Sequence, residues 1–355
     1  MNAPRHPVNA PAAPQVTAEA AGYCDPAQWR QERTEIFART WQFLGHEGAL
    51  AAAGDWIAET LAGYPVLVVR GEDGALRGFH NVCRHRAGPL TEGTSGRCDG
   101  ALVCRYHGWR YALDGRLRLA RDFGPAPGFD PREFSLYPIQ VETWRGLVFV
   151  RIDGPGAPLC EAVAPLEARL GDADWSGLRV ALARAHPLAC NWKTYVENYL
   201  EGYHVPQLHP SLDAEIDSGR YRVSVDGLVA VHDAPLRKPD TVYGGLWAWL
   251  WPNLGVNVYG EADGVMIERI SPIGVAATRL DYLYLTPGGR PVSAEALAMS
   301  DAVLAEDRWI VERVQTNLEA GVYRTGRLSP RHEGAVAAFQ GLVRSALSPD
   351  GEGGG

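Results

Sequence analysis

The chain has no apolar run that reads as a membrane span. Its most apolar stretch, Tyr243 to Tyr259, is broken by Gly244, Gly245, Pro252, Asn253 and Asn257. The opening MNAPRHPVNAPAAPQ lacks the apolar core of a secretory signal. The expectation is a cytoplasmic protein without a membrane role. Cysteine is scarce: Cys24, Cys83, Cys98, Cys104, Cys160 and Cys190 in 355 residues do not make a disulfide scaffold. In a reducing compartment, clustered Cys and His then read as metal ligands. Positive charge is also short, with 34 Lys and Arg against 42 Asp and Glu and a net charge of −8, which argues against a broad nucleic-acid-binding face. No Gly-x-Gly-x-x-Gly follows a strand and no flavin signature is present, so the sequence carries no dinucleotide or flavin fingerprint of its own. No internal repeat is visible. What is there, 46% apolar and 21% charged residues, is an ordinary globular composition for two domains or one large one.

Residues 1–20 are rich in Ala and Pro and read as a loose tail. Asp25 and Pro26 look like an N-cap and first helical residue, and Trp29, Arg33, Ile36, Phe37 and Trp41 recur at helical spacing. Residues 21–42 are therefore expected to hold one helix, about 26–40, packing on the second domain. From 43 to 153, short strand-like runs alternate with Gly, Asp and Pro turns, including GEDGAL and LDGRL, which predicts an all-β domain. Asp153-Gly154-Pro155-Gly156 marks a boundary. Residues 154–348 mix types. A helix carrying NWKTYVENYLEGYH begins near 190, four or more strands follow, a long helix runs from Ala294 to Leu318 behind Ser293 as N-cap, and a shorter one covers about 332–346. The fold class expected is α+β, with a long C-terminal helix over a curved antiparallel sheet. Residues 349–355 read as a flexible tail.

The strongest signal is Cys83-Arg84-His85, 18 residues, then Cys104-Arg105-Tyr106-His107. Each short pair follows a strand-like run, so four ligating atoms can converge from two loops. A structural zinc is the plainer reading, but zinc sites usually pair Cys with Cys and His with His. Mixed pairs suit a [2Fe-2S] cluster whose one iron takes both Cys and whose other takes both His. Gly88 and Pro89 can turn the first loop, Gly108 the second, and Trp109 can shield the centre from water. Cys98, in the spacer, reads as an ordinary loop thiol.

The second signal is NYLEGYHVPQLH, Asn198 to His209. On a continuous helix His204 and His209 would lie about 140° apart. Pro206 should end the helix near His204 and let His209 swing back. In the long helix, Val303, Ile310, Val314 and Leu318 form an apolar stripe, with Asp307 about 20° from its centre and Glu306 about 80° away. A carboxylate facing a core needs a partner, either an arginine (Arg308 or Arg313) or a metal. Two His and one carboxylate make the facial triad of non-haem Fe(II) oxygenases.

Together these motifs resemble the catalytic α subunit of the Rieske non-haem iron (ring-hydroxylating) oxygenases, over about Tyr23 to Leu347. The resemblance implies that Cys83, His85, Cys104 and His107 hold the [2Fe-2S] cluster. It implies His204, His209 and Asp307, or Glu306 beside it, as ligands of a mononuclear Fe(II). Glu201 then takes the place of an acid that bridges a cluster His of one subunit and an iron His of its neighbour, and Asn198 lies near a family amide close to the iron. The positions where high-potential Rieske proteins carry a disulfide clamp are Gly88 and Tyr106 here. Glu rather than Asp at 201 is similar to the subgroup acting on choline, carnitine or betaines. The family implies an N-terminal Rieske domain, a C-terminal helix-grip domain, a homotrimer, consumption of O2, and a separate flavin and iron-sulfur reductase or a ferredoxin as electron donor.

The substrate is less legible. Trp247, Trp249 and Trp251 alternate at period two and would share one face of a strand. They read either as core or, with Tyr243 or Tyr259, as an aromatic box for a methylated ammonium. A flat aromatic substrate, as in aromatic-ring or aromatic-acid hydroxylation, would stack on the same surface. A Rieske electron carrier without oxygenase activity, and a zinc-stabilised binding protein, are the rivals of other classes. Residues 83–121 carry eight Arg against Glu92, Asp99 and Asp114, a local charge of +5 that reads as solvated loops or as a docking face for an acidic donor.

Overall fold

The computed structural model describes residues 15–237, 245–259 and 264–348. A seven-stranded antiparallel sheet forms the first half. Its strands run in the order Gln42–His46, Leu147–Arg151, Pro138–Trp144, Leu76–His80, Tyr64–Arg70, Asp55–Leu61, Ser95–Arg97. A small three-stranded sheet, Ala101–Val103, Arg110–Ala112 and Leu117–Leu119, stands beside it. GEDGAL and LDGRL are the turns of two of these hairpins.

The second half is another seven-stranded antiparallel sheet. From one edge it runs Leu178–Leu188, Ala277–Pro287, Val265–Gly274, Leu254–Val258, Leu246–Leu250, Val229–Asp233, Arg222–Asp226. Helices Trp192–Tyr199, Ala294–Glu319 and Gly334–Leu347 pack about a shared core in which Trp192, Trp249 and Phe339 are almost wholly removed from solvent. Each such side chain contributes roughly 1.5–3 kcal/mol. Ser293 caps the long helix by accepting from the Ala296 N–H, as its sequence predicts. The two halves are joined by an ionic network centred on the buried Arg269. Arg269 donates to the Phe43 carbonyl at 3.0 Å, to Glu59 at 3.2 Å and to Asp281 at 2.9 Å, and Arg279 reaches the same two acids.

Several expectations need correction. The tail is not loose through residue 20: Val16 bridges Arg327, Thr17 N–H donates to Gly326, Ala18 N–H donates to Gln340, and Ala20 is buried. The helix at 26–40 ends earlier. Pro26–Glu32 is α-helical and Arg33–Phe37 winds as a π-turn, which lets Arg33 reach the Ala62 carbonyl at 2.6 Å. Trp41 belongs to a different core cluster from Ile36 and Phe37. The helix from Trp192 stops at Tyr199, not near His204, and Pro206 sits in the first turn of a new short helix, Val205–Leu208. Proline starts a helix here because its missing N–H falls where none is needed. The buried stripe of the long helix is Ala296, Leu304, Asp307, Val311, Gln315 and Leu318, while Val314 is exposed. Asp307 lies within it.

Candidate active site

The two cysteine loops fold alike. The Cys83 N–H donates to Gly88 and its carbonyl accepts from Ala87; the Cys104 N–H donates to Trp109 and its carbonyl accepts from Gly108. Ala87 and Gly108 take the positive φ, +57° and +73°. Gly88 is needed for another reason: a Cβ there would sit 3.0 Å from the Cys104 Sγ. These loops present two buried thiols and two imidazoles whose ring centroids are 4.5 Å apart. The Nδ1 atoms of His85 and His107 are buried with no hydrogen-bond partner. Orphaned buried acceptors of this kind call for a ligand, and two thiols with two free imidazole nitrogens fit a [2Fe-2S] cluster. Burial pushes the Cys104 thiol up and the His85 imidazole down, with His107 and Arg86 adding to the latter. Trp109 stacks on His85 at 4.9 Å, backed by Phe123, Phe129 and Phe134. The Arg84 N–H donates to the Tyr111 hydroxyl at 3.0 Å, which leaves the phenolic proton for Cys83 Sγ at 3.2 Å. Cys98 packs at the edge of the same core and donates its thiol to the Gly54 carbonyl.

In the second half, His204, His209 and Asp307 offer ligand atoms that all lie within 4.8 Å of one another. His204 arrives on the turn after the helix that ends at Tyr199, His209 caps the short helix beyond it, and Asp307 comes from the long helix. Each imidazole is held from behind by a carboxylate. Glu201 meets His204 Nδ1 at 2.5 Å, and Glu306 meets His209 Nδ1 at 2.7 Å. Both Nε2 atoms therefore turn toward Asp307, at 3.9 Å for His204 and 3.0 Å for His209. Asn198 donates to the same Asp307 oxygen at 2.7 Å. Asp307 thus stands inside the cluster and Glu306 behind it; neither Arg308 nor Arg313 pairs with Asp307 among the described ion pairs. Burial works against a charged His209, yet Asp307 and Glu306 outweigh it and hold its pKa above the usual value. Two imidazoles and a carboxylate converging on one point fit a divalent cation.

This cluster opens into a cavity of about 140 Å³. Aromatic walls come from Tyr195, Tyr199, Tyr221, Trp247, Tyr259 and Tyr282. The row of three tryptophans does not face it together. The strand ends at Leu250, Trp249 and Trp251 pack against Phe339 in the core, and only Trp247 reaches the cavity. Tyr243 lies outside the described residues. A separate groove of about 900 Å³ lies on the other side of Asn198 and Glu201, which line both spaces.

Sequence reasoning missed Glu268 and His232. Both are buried side chains of strands that line the cavity. Burial takes His232 down to about 3, so it is neutral, with Nδ1 2.7 Å from the Tyr221 hydroxyl and Nε2 unpartnered. The signal available was a single acid, Glu268, inside the strand-like run VMIERISP on the same face as Met266.

Residues 175–348 match the family described as ring hydroxylating alpha subunit (catalytic domain), and residues 40–130 match the Rieske [2Fe-2S] domain. The chain is 29% identical over 344 residues to the carnitine monooxygenase oxygenase subunit of Escherichia coli K12, covering 92% of this chain and 91% of that protein. It is 30% identical over 358 residues to the chloroplastic choline monooxygenase of Beta vulgaris, covering 94% of this chain and 77% of that one. The quaternary ammonium Rieske monooxygenase CntA with L-carnitine bound superposes with a TM-score of 0.83 at 26% identity, over 94% of this chain and 96% of that one. These matches favour an oxygenase over an electron carrier or a zinc-stabilised binding protein.

Proposed function

The chain belongs to the Rieske-type ring-hydroxylating oxygenases as their catalytic α subunit, and from that premise we propose that it oxidises a methylated ammonium compound. It is an oxidoreductase, the terminal oxygenase of a system in which a separate reductase passes on electrons from NAD(P)H. Its cofactors are a Rieske [2Fe-2S] cluster and a mononuclear iron that consumes O2. The proposed substrate rests on one observation: the His204, His209 and Asp307 cluster opens into a small cavity walled by six aromatic side chains. Aromatic faces hold onium groups by their quadrupoles. The likeness to carnitine and choline monooxygenases points the same way.

We assign Cys83, His85, Cys104 and His107 to the cluster, and His204, His209 and Asp307 to the mononuclear iron. Bound there, the cluster and the iron supply single electrons and O2 activation respectively. The chain's own residues do the rest. Glu201 fixes His204 by its Nδ1 and accepts the backbone N–H groups of Tyr203 and His204, so Nε2 is aimed into the cavity. Glu306 does the same for His209, and Asn198 holds the Asp307 carboxylate in place. Glu201 also lines the outer groove, where the cluster of a neighbouring subunit would reach it in a homotrimer. The six free cysteines accord with a cytoplasmic setting. Among the described residues no helix is long and apolar enough to cross a membrane.

The test is O2-dependent NADH consumption with a surrogate reductase and mass-spectrometric product detection. The panel is choline, glycine betaine, L-carnitine and neutral aromatic acids. Product from a quaternary amine is expected. Coupled turnover of the aromatic acids alone would overturn the substrate reading and leave the oxygenase in place.

A further inference from the structure

The cavity next to the His204, His209 and Asp307 cluster holds three acids, and two of them act within that cluster. Glu201 serves His204, and Asp307 serves His209 and Asn198. The third, Glu268, is 3% exposed, and its Oε1 has no hydrogen-bond partner. No lysine or arginine lines the cavity among the described residues. The strand register places Glu268 opposite Gly255. At Gly255 a Cβ would lie 3.2 Å from the Tyr199 hydroxyl and 3.3 Å from the Glu268 Cβ. The missing side chain thus leaves room for Tyr199 to lie against the stem of Glu268.

We propose that Glu268 is the counter-charge for the substrate, selecting a positively charged ammonium head and rejecting an uncharged group of the same shape. The inference rests on the methylated-ammonium reading and adds the residue that enforces it. A buried carboxylate without a cation is costly. Burial pushes the Glu268 carboxyl up to about 7 and the charge of Asp307 adds to this, while hydrogen bonding by the Tyr195, Tyr282 and Asn257 side chains acts against it. A tetraalkylammonium has no N–H to donate, so it needs charge and aromatic faces rather than a hydrogen bond. Glu268 supplies the charge, and the tyrosines around it supply the faces.

The experiment titrates choline and its neutral carbon isostere, 3,3-dimethylbutan-1-ol, into the iron-replete enzyme without reductant, by calorimetry. The wild type should favour choline about 100-fold. Glu268→Gln should weaken choline by a similar factor and move the isostere less than about 3-fold, so that the preference collapses. Glu268→Asp keeps the charge and should retain the preference with choline about 10-fold weaker. Visible absorbance and iron content confirm that each variant is folded and loaded. A preference that survives intact in Glu268→Gln overturns the assignment while leaving the quaternary-amine reading standing. If Glu268→Gln does not fold, choline affinity unchanged in Glu268→Asp overturns it equally. A wild type that prefers none of choline, glycine betaine, L-carnitine or trimethylamine over the isostere sinks both.

Discussion

The two regions proposed to bind metal are built on opposite plans. At the cluster, four ligands come from two loops within 25 residues, and the loops repeat one hydrogen-bond pattern. Their imidazole Nδ1 atoms are buried and bare, and no carboxylate stands behind them among the described hydrogen bonds. At the cavity, ligands come from segments about 100 residues apart, and each imidazole is braced by an acid. The difference teaches what each centre demands. A cluster with its own bridging atoms needs only a cradle of matched loops. A single ion with vacant positions needs its few ligands held rigidly, because nothing else fixes them.

The largest effect should come from cutting each region separately. Asp307→Ala should remove one iron per chain and lower turnover about 1000-fold or more while the visible spectrum of the cluster persists. Cys104→Ser should lose colour and turnover together. Iron, acid-labile sulfide and absorbance decide this, and three irons retained in Asp307→Ala would dissolve the contrast. Next, Glu201→Gln should keep both metals yet slow turnover about 100-fold, since it alone lines both the cavity and the groove with a bond to a ligand imidazole. Normal turnover with full metal content would refute its role.

A smaller effect probes the bracing itself. Glu306→Gln should weaken iron binding about 10–100-fold, read by chelator competition, and leave the cluster spectrum unchanged. The smallest concerns acid. His232 is held neutral in the fold at a pKa of about 3, against the ordinary 6.5 of an unfolded chain. The unfolded state then binds more protons between those values, so His232 stabilises fully above pH 6.5 and its contribution is lost as pH falls toward 3. Melting temperatures at pH 5 and 7.5 should diverge less in His232→Gln than in the wild type. An identical pH slope would count against it.

The Rieske domain was legible because its motif is local: two short Cys and His pairs, 18 residues apart, which the fold carries on two loops of one hydrogen-bond pattern. The α+β class and the Ser293 cap were legible for the same reason. Asp307 was found by its place on a helical wheel, but the stripe around it was misjudged because Val314 faces the groove instead of the core. The tryptophan row failed as a box because Trp249, inside the strand, packs on Phe339 in the core, and Trp251 falls in the turn after Leu250 and joins it there. Glu268 was invisible as a site residue, since its meaning depends on Gly255 one strand away and on Tyr199 from a helix, neither of which periodicity along one strand can report.

The guanidinium of Arg269, shared among Phe43, Glu59 and Asp281, has a kinetic corollary. A swinging movement of the sulfur-rich half against the other would have to break this largely buried set of charge-assisted bonds before any electron moved. Solvent viscosity should slow the encounter with the reductase and leave transfer inside the assembled enzyme untouched.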